Sequence, residues 1–423
     1  MAEYTAEARE PAVEDPKGSL SLRDALSLAL RFSPDLASFG WELRARDARL
    51  LQVGQRPNPV AGVLFEDLGG PSGASGADSV VQTQATIQLS QLVELGGKRA
   101  ARRKVAGLDR DLATWDFEAA RMDVFTRVTS AYLDVLAGQQ AVALAEKGRT
   151  LVEQVHQTVS ARVEAGVVSP IEQTKAAVAL AMARVDEQRA RRALEAARTG
   201  LAVLWGRSSA TFASVEGDLS AQPAVPAFAL LQPRVAQNPE VARWTTEIAQ
   251  RDAARALEQA RRTPDITVSA GYRRFTDIDS SAWVVGGSIP LPLFDRNKAG
   301  IQEAADRTAK AYQEQRAAEA RVTALLAAAY STLASAQGEA ALLATDVLPG
   351  ARSAFAAIEE GYRLGRFGYL EVLDAQRTLV AAEGQHLRAL TDVHKAVAQV
   401  ERLIGMPVAD AASVPAPSSQ PVK

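Results

Sequence analysis

The strongest constraint on the fold is an internal repeat, because the same order of features recurs roughly 200 residues apart in a chain of 423 residues. Each copy begins with an amphipathic helical segment that contains a proline near its start, at Arg31–Asp35 in the first copy and Ala236–Glu240 in the second. Each segment is expected to end just before a second proline, Pro57 or Pro264, since the residue before proline is pushed out of the α conformation. The sequence therefore predicts two structural repeats with one element order.

Two short segments in each repeat alternate between apolar and polar residues, which indicates β-hairpins. The clearest strand is predicted at Val81–Leu89, and its partner begins at Val60. We predict hairpins over residues 59–91 and 264–292, and hence four strands. One face of the clearest strand carries Val81, Ile87 and Leu89, and the opposite face carries Gln82, Gln84, Thr86 and Gln88.

Each hairpin is followed by a turn and then by unusually long runs of helical periodicity. Long helical hairpins are predicted over residues 96–205 and 296–405, with sharp turns at Gly166 and Gly365. The first helix is expected to run to about Glu164, which at 1.5 Å per residue makes it on the order of 100 Å long. Such a length suits a tube that spans an aqueous compartment better than a compact domain.

These features divide the chain into an N-terminal extension (1–19), repeat 1 (20–209), a linker (210–226), repeat 2 (227–405) and a disordered tail (406–423). Residues 1–10 are polar and acidic, so no signal peptide is expected in this sequence. No long segment is free of charged or polar interruptions over the roughly 18 residues that a spanning helix needs. If the chain crosses a membrane, we expect it to do so as strands.

Composition excludes several functions. Lys and Arg number 48 against 50 Asp and Glu, so no basic field for nucleic acid is expected. There are no cysteines, and the three histidines (His156, His386 and His394) are scattered, so we predict no metal cage and no cofactor. Phosphate-loop, nucleophile-elbow and zinc-protease motifs are also missing, which predicts a protein that is not an enzyme.

The four strands are the key to function, because a four-stranded sheet has open edges and only a closed barrel satisfies every backbone group in lipid. The smallest membrane barrels have about 8 strands, so several copies of the chain would have to pool their hairpins. In such a barrel the Val81 face would meet lipid, and Gln82, Gln84, Thr86 and Gln88 would line a watery lumen. The alternative is a soluble sheet with one wet face.

Two motifs, Glu94-Leu95-Gly96-Gly97-Lys98-Arg99 and Pro290-Leu291-Pro292-Leu293-Phe294-Asp295-Arg296-Asn297, resemble the TolC family of outer-membrane efflux factors. The resemblance covers about residues 20–405. Within the family, both motifs are most similar to the branch that serves exporters of cobalt, zinc, cadmium, copper or silver.

The resemblance implies a mainly α protein with a membrane β-barrel part, in which three protomers form a twelve-stranded barrel in the outer membrane. An α-helical barrel would continue it through the periplasm and dock with a periplasmic adaptor (a membrane fusion protein) and a proton-driven inner-membrane pump of the RND type. The expected function is passive conduction of heavy-metal cations. Two alternatives stay open: the same duct exporting drugs or other small organics, and a soluble periplasmic coiled-coil adaptor or scaffold.

By the same resemblance, the two helical turns would lie at the periplasmic tip and contact the adaptor. The candidate residues are Gly166, Val167, Ser169, Gly365, Arg366 and Phe367. The simpler interpretation is that the glycines only make the turns.

Glu371 and Asp374 lie one helical turn apart and so share a helix face. In the family, acidic residues at matching positions ring the narrow periplasmic entrance. Tyr362 matches an aromatic residue that helps to hold that entrance shut, and Glu172 is the counterpart of these residues in the first repeat. We expect a cation-favouring gate here, and the alternative is a solvated helix face.

A basic run follows the first hairpin and admits two interpretations. It would either meet phospholipid headgroups or form an ordinary solvated helix start. The run consists of Lys98, Arg99, Arg102, Arg103 and Lys104.

Overall fold

The computed structural model describes residues 16–66, 84–275 and 279–411. The strands are β1 (Ser19–Leu20), β2 (Val60–Glu66), β3 (Gln84–Val93), β4 (Ser214–Val215), β5 (Ile266–Phe275) and β6 (Ser280–Ser288). The α-helices are α1 (Leu22–Phe32), α2 (Pro34–Val53), α3 (Lys98–Glu164), α4 (Pro170–Val203), α5 (Phe228–Leu231), α6 (Pro239–Ala260), α7 (Lys298–Leu342), α8 (Leu348–Arg363), α9 (Tyr369–Ile404) and α10 (Val408–Ala411). A 3₁₀-helix covers Gln232–Gln237, and a π-helical turn covers Leu343–Val347.

The chain folds into two compact units, and each unit takes segments from both repeats. The sheet unit comprises the described parts of Trp41–Trp115 and Arg243–Ala317. The helical unit comprises the described residues before Trp41, Asp116–Ala242, and those from Ala318 onward. The two repeats are therefore copies in element order but are not separate domains.

The sheet unit contains one four-stranded antiparallel sheet in the order β2-β3-β5-β6. Each predicted hairpin is present, and the central β3–β5 pair joins the hairpin of one repeat to the hairpin of the other, with Gln84 opposite Phe275 and Val93 opposite Ile266. The second hairpin ends at Ser288 rather than at residue 292, because Pro290 and Pro292 have no N–H to donate to a ladder. Among the described residues, β2 and β6 each have one edge without a partner strand.

The helical unit is built around an apolar core supplied by α1, α3, α4, α7, α9 and the segment between the repeats. Its fully buried members include Val128, Val135, Leu201, Leu231, Leu326 and Ile404. Residues 210–226, which the sequence suggested as a linker, contribute to this core as well. Phe212 is 0% exposed, and Val215 and Leu219 are buried beside it. This segment is thus an integral part of the unit and not a loose connection.

Two polar side chains of α3 fix that segment in place. The Tyr132 hydroxyl lies 2.9 Å from the carbonyl of Leu20 in β1 and accepts a hydrogen bond from the N–H of Glu216 at 3.1 Å. The Gln139 amide donates to the Val215 carbonyl and accepts from the Val215 N–H at 3.0 and 2.7 Å. Because β1 and β4 pair in parallel, these contacts join the start of repeat 1 to the segment between the repeats.

The helices differ from the sequence predictions in three ways. Each opening helix begins afresh at its proline, Pro34 in α2 and Pro239 in α6, since proline is tolerated at the first helical position. The predicted tail from residue 406 was wrong for residues 406–411, because α10 buries Val408 and Ala411. Residues 412–423 lie outside the described part.

The third difference lies in the first helix of the second hairpin, which was expected to continue to the turn at Gly365. The π-helical turn interrupts it ahead of Pro349, which lies in the first turn of α8 and lacks the N–H of a regular helix. By length and composition alone, the stretch Lys298–Arg363 contains one window apolar enough to cross a membrane. Its alanine-rich sequence also suits a helix that packs against other helices.

Replacing Phe212 with Ala tests whether this segment is part of the core. We expect a loss of about 3–5 kcal/mol in the free energy of unfolding, because a large buried aromatic side chain would leave a cavity. Urea unfolding in detergent micelles would measure it. Leu230→Ala is the matched control, since Leu230 is 56% exposed. Equal and small effects of the two changes would contradict the assignment.

Candidate functional site

The turns of the two helical hairpins have the same backbone design. Gly166 and Gly365 adopt the left-handed conformation, with φ of +72° and +74°. The N–H of Val167 bonds the Arg162 carbonyl at 2.9 Å, and the N–H of Arg366 bonds the Gly361 carbonyl at 2.8 Å. Each glycine also bonds the carbonyl three residues before it, which completes a Schellman motif. The predicted turn-making role of both glycines therefore agrees with the geometry.

The predicted tip residues differ in what they expose. Val167, Arg366 and Phe367 are exposed, so their side chains are free to meet a partner. Ser169 instead caps α4, because its hydroxyl accepts a hydrogen bond from the N–H of Ile171. The Phe367 ring also covers Gly361, where any Cβ would lie 2.3 Å from that ring.

Arg162 connects the tips of the two repeats. Its guanidinium donates to the Tyr362 carbonyl at 2.9 Å and lies 4.7 Å from the centre of the Tyr362 ring. The Tyr362 side chain is buried, and burial raises the pKa of its hydroxyl, while Arg162 acts in the opposite direction. A cation held over an aromatic face is stabilised by the ring quadrupole.

Glu172 completes this group, which we call the tip cluster: Arg162, Glu172 and Tyr362. The Glu172 carboxylate acts on the Tyr362 hydroxyl by charge, raising its pKa further. Within the described residues, neither the Tyr362 hydroxyl nor one oxygen of Glu172 has a hydrogen-bond partner, although both are buried. Buried polar atoms of this kind mark the tip cluster as a candidate site.

Glu371 and Asp374 behave differently. Both lie in the first turns of α9 on one face, both are exposed, and neither carboxylate forms an ion pair within the described part of the chain. Glu371 occupies the position after its turn that Glu172 occupies after the first. The pair thus places free negative charge beside the second tip.

The sheet has one apolar and one polar face. The register puts Val63, Ile87, Tyr272 and Trp283 in one row across all four strands on the same face. The Tyr272 and Trp283 rings touch edge to face at 5.6 Å between centroids. The opposite face carries the predicted residues Gln84, Thr86 and Gln88, whereas Gln82 lies outside the described residues.

An arginine that we did not anticipate organises the polar face. Arg273 of β5 donates to Thr86 and Gln84 of β3, both at 2.9 Å, and forms an ion pair with Glu66 of β2 at 2.9 Å. One side chain therefore braces three strands. The sequence did contain a signal: Arg273 lies two residues after Gly271 and four after Ser269, so it shares the less apolar face of the alternating strand β5.

The first of the two family-like motifs forms a junction between strand and helix. Lys98 is buried and pairs with Asp265 at 2.8 Å, and the Leu95 N–H donates to the same carboxylate at 2.9 Å. Arg102 forms two hydrogen bonds with Glu94 at 2.5 and 2.8 Å. Gly96 has φ of +69°, and a Cβ there would lie 2.8 Å from Thr263. Lys98 and Arg102 are thus engaged within the protein, which favours the ordinary helix start over headgroup contact for these two residues.

In the second motif, a neutral side chain, Asn297, makes the contact at the start of the long helix α7, where Lys98 makes it at the start of α3. Asn297 donates to the carbonyl and to the carboxylate of Glu258 in α6 at 2.9 and 2.8 Å. Asp295 in turn accepts from the Asn297 N–H at 2.8 Å. The first motif therefore ties the start of a long helix to the residue directly before β5, and the second ties the start of a long helix to the end of α6. In the described part of the chain, no three His, Cys, Asp or Glu residues are arranged to hold a metal ion.

A sheet with an apolar and a polar face, in a chain that also forms two long helical hairpins, fits the class of protein that the sequence predicted: a membrane channel subunit. Comparison with known proteins gives the family. A family model described as outer membrane efflux protein matches residues 25–207 and 230–406. The chain belongs to the outer membrane efflux protein family.

Relatives and solved structures agree with this assignment. The chain is 36% identical over 388 residues to the cobalt-zinc-cadmium resistance protein CzcC of Cupriavidus metallidurans, covering 92% of this chain and 90% of the relative. It is 30% identical over 300 residues to the nickel-cobalt-cadmium resistance protein NccC of Alcaligenes xylosoxydans xylosoxydans, covering 71% and 66%. The crystal structure of CusC matches with a TM-score of 0.76 at 16% identity, covering 93% of this chain and 96% of that one.

These findings confirm the predicted TolC-like fold and the outer-membrane location. The protein is an outer-membrane efflux channel, and its family is one of transporters, not enzymes. The alternative of a soluble periplasmic scaffold was wrong, because the family match covers both repeats, including their hairpins.

The junction predicts how stability depends on pH. The hydrogen bond from Arg102 lowers the pKa of Glu94 more than burial raises it. Burial alone would raise the pKa of Asp265, but the hydrogen bonds from Lys98 and Leu95 outweigh it and lower that pKa. Since both pKa values are lower in the folded state, this stabilisation is complete above the ordinary carboxyl range, about pH 4, and is lost as the pH falls below it.

Thermal unfolding in detergent between pH 7 and pH 3 would test this expectation. The variant Glu94→Gln/Asp265→Asn should be less stable than the unmodified protein at pH 7 and should lose less stability on acidification. Glu42→Gln, which removes an exposed pair with Arg46, is the control and should follow the unmodified protein. Parallel pH profiles for the junction variant and the unmodified protein would contradict the assignment.

Proposed function

We propose that three copies of this chain close their sheets into one barrel and conduct heavy-metal cations out of the cell as a passive duct. The observation that carries the proposal is the sheet with two faces and two open edges. Unpaired backbone groups cannot face lipid, so β2 of one copy would pair with β6 of the next. β3, β5 and β6 are 10, 10 and 9 residues long, close to the 9–11 residues of a membrane strand.

In this arrangement the apolar row of Val63, Ile87, Tyr272 and Trp283 meets lipid. Gln84, Thr86 and Gln88 line the lumen together with the Arg273–Glu66 pair, and Gln82 would continue the same face. The charge of Arg273 is balanced by Glu66, so this level of the lumen carries no net charge from the pair. A neutral, hydrated wall suits ions that must pass without being held.

Heavy-metal cations are the proposed cargo. Two relatives, CzcC and NccC, are named for resistance to cobalt, cadmium, and zinc or nickel, and these names favour metals over organic cargo. A duct needs no metal cage, since tight binding would block conduction. The energy would come from an inner-membrane pump of the RND type, reached through a periplasmic adaptor.

The tips would perform two tasks. Val167, Arg366 and Phe367 are exposed there, and together with the turns at Gly166 and Gly365 and the capping residue Ser169 they form the proposed adaptor contact. Glu371 and Asp374, repeated by symmetry, would crowd carboxylates at the entrance and favour cations.

The tip cluster supplies the proposed closure of this entrance. Arg162 on the first hairpin binds Tyr362 on the second, and Glu172 lies beside them with an unsatisfied oxygen. Opening the entrance would require these contacts between the hairpins to break. Adaptor binding at the adjoining turns would be placed to break them.

A planar bilayer recording tests the duct and its selectivity together. The purified protein should run as a trimer by light scattering and form channels that conduct zinc or cobalt cations in preference to chloride. Replacing Glu371 and Asp374 with Ala should shift the reversal potential toward anions by removing negative charge from the entrance. Glu303→Ala, on an exposed part of α7 where Glu303 pairs with Arg307, should change nothing.

The recording can contradict the duct and the role of the two carboxylates independently. A protein that forms no channels would sink the duct itself. Channels whose conductance and selectivity are unchanged in Glu371→Ala/Asp374→Ala would sink only the role of these carboxylates.

Arg162→Ala tests the closure. Loss of the contact with Tyr362 should raise the single-channel conductance or the open fraction severalfold. Arg363→Ala is the matched control, because Arg363 lies next to Tyr362 but, among the residues that the structure describes, forms ion pairs only with Glu359 and Glu360 of its own helix. If both variants open the channel equally, general disturbance of the tip explains the effect and the cluster is not the closure.

A further inference from the structure

Residues 289–294, which lie between β6 and α7, form a contiguous group of exposed apolar side chains. Phe294 is 100% exposed, and Leu291 and Leu293 are 71% and 66% exposed. Single exposed apolar residues are ordinary, but a contiguous group marks a surface that contacts something other than water. We propose that this apolar segment inserts into the lipid leaflet at the helix-bearing end of the sheet and anchors the protein there.

The first support is continuity with the apolar face of the sheet. Trp283 and Val285 of β6 point to that face and are 81% and 83% exposed. Because side chains alternate along a strand, Gly287 and Ile289 continue the same face toward the helices. The apolar segment therefore begins where the proposed lipid-facing surface ends, and the inference rests on that part of the proposed function.

The second support is the conformation of the segment. Pro290 and Pro292 prevent it from continuing the ladder of β6. The Leu293 N–H donates to the Leu291 carbonyl at 2.8 Å, and the Arg296 guanidinium donates to the Pro292 carbonyl at 3.3 Å. These bonds shape a turn that leaves Leu293 and Phe294 pointing away from the protein.

The third support is the distribution of charge at this end of the sheet. Lys98 with Asp265 and Glu94 with Arg102 are paired within the protein, as described above. The apolar side chains of Leu291, Leu293 and Phe294 are exposed at the same end. In contact with water, the opposite arrangement would be expected, with charged side chains exposed and apolar ones buried.

The charged residues that remain exposed next to the segment complement a lipid surface. Asp295 is exposed and accepts a hydrogen bond from the N–H of Asn297. Beyond it lie the exposed side chains of Arg296 and Lys298, so the positive charges outnumber the negative one here. Cations flanking an apolar anchor are positioned for the phosphates of anionic lipid headgroups. An aromatic residue at the boundary of a membrane strand is the usual occupant of such an interface.

The absence of cysteine from the chain makes a direct test possible. A single cysteine at Phe294→Cys or Leu291→Cys would carry a nitroxide label, with the protein in vesicles of phosphatidylethanolamine and phosphatidylglycerol. Collision rates with oxygen, which enters lipid, and with a water-soluble nickel chelate would be measured. We expect the ratio of oxygen to nickel collisions to be severalfold higher at both positions than at Leu230→Cys, an exposed position of the helical unit.

Three results would overturn or redirect the interpretation. If the nickel chelate reaches the label as freely as at Leu230→Cys, the segment lies in water and the anchor is wrong. If neither reagent reaches it, a neighbouring copy covers the segment and the anchor is also wrong. Trp283→Cys on the outward face of β6 is the reference, and a water-like result there would sink the proposed barrel itself. Leu291→Cys keeps the test available if Phe294→Cys does not fold.

Discussion

The unpaired edges of the sheet are the constraint on which the rest of the structure depends. Backbone N–H and C=O groups at the free edges of β2 and β6 have no water to bind within a membrane. An apolar face that includes Ile87 and Trp283 requires that membrane, whereas the polar face around Arg273 requires water. Only a closed arrangement of several sheets satisfies both faces and both edges at once. Assembly is thus a condition for the outward face to be stable, not a later addition to a finished fold.

The two repeats are interlocked at several places rather than joined end to end. In the sheet unit, β3 pairs with β5 and Lys98 binds Asp265, so each repeat supplies half of the contact. In the helical unit, the Arg162 contact with Tyr362 does the same at the turns. Contacts of this kind keep the duplicated halves in register. They also give the proposed entrance a defined contact to break, because Arg162 approaches Tyr362 across the two hairpins.

Much of the architecture could be predicted from the residues alone. Alternation of apolar and polar residues locates strands, since side chains alternate between the faces of a sheet. The bounds of α3 followed from uninterrupted helical periodicity and from Gly166, which can adopt a positive φ at low cost. The side-chain contacts of the candidate site were harder to predict from the sequence. Spacing placed Glu371 and Asp374 on one helix face, and the family resemblance suggested their role at the entrance. Arg162 and Arg273 were not identified, because nothing local distinguishes them from other charged residues on helices or strands.

What the sequence determined by itself was therefore periodic or local: the duplication, the four strands with their two faces, the long helices and the glycine turns. The tertiary structure alone decided which distant residues meet. It placed Phe212 of the supposed linker in the core, packed α10 where a tail was expected, and joined Glu66, Thr86 and Arg273 on one face of the sheet. The physical reason is that alternation and propensity act between near neighbours, whereas burial and ion pairing depend on the partner that folding brings from elsewhere in the chain.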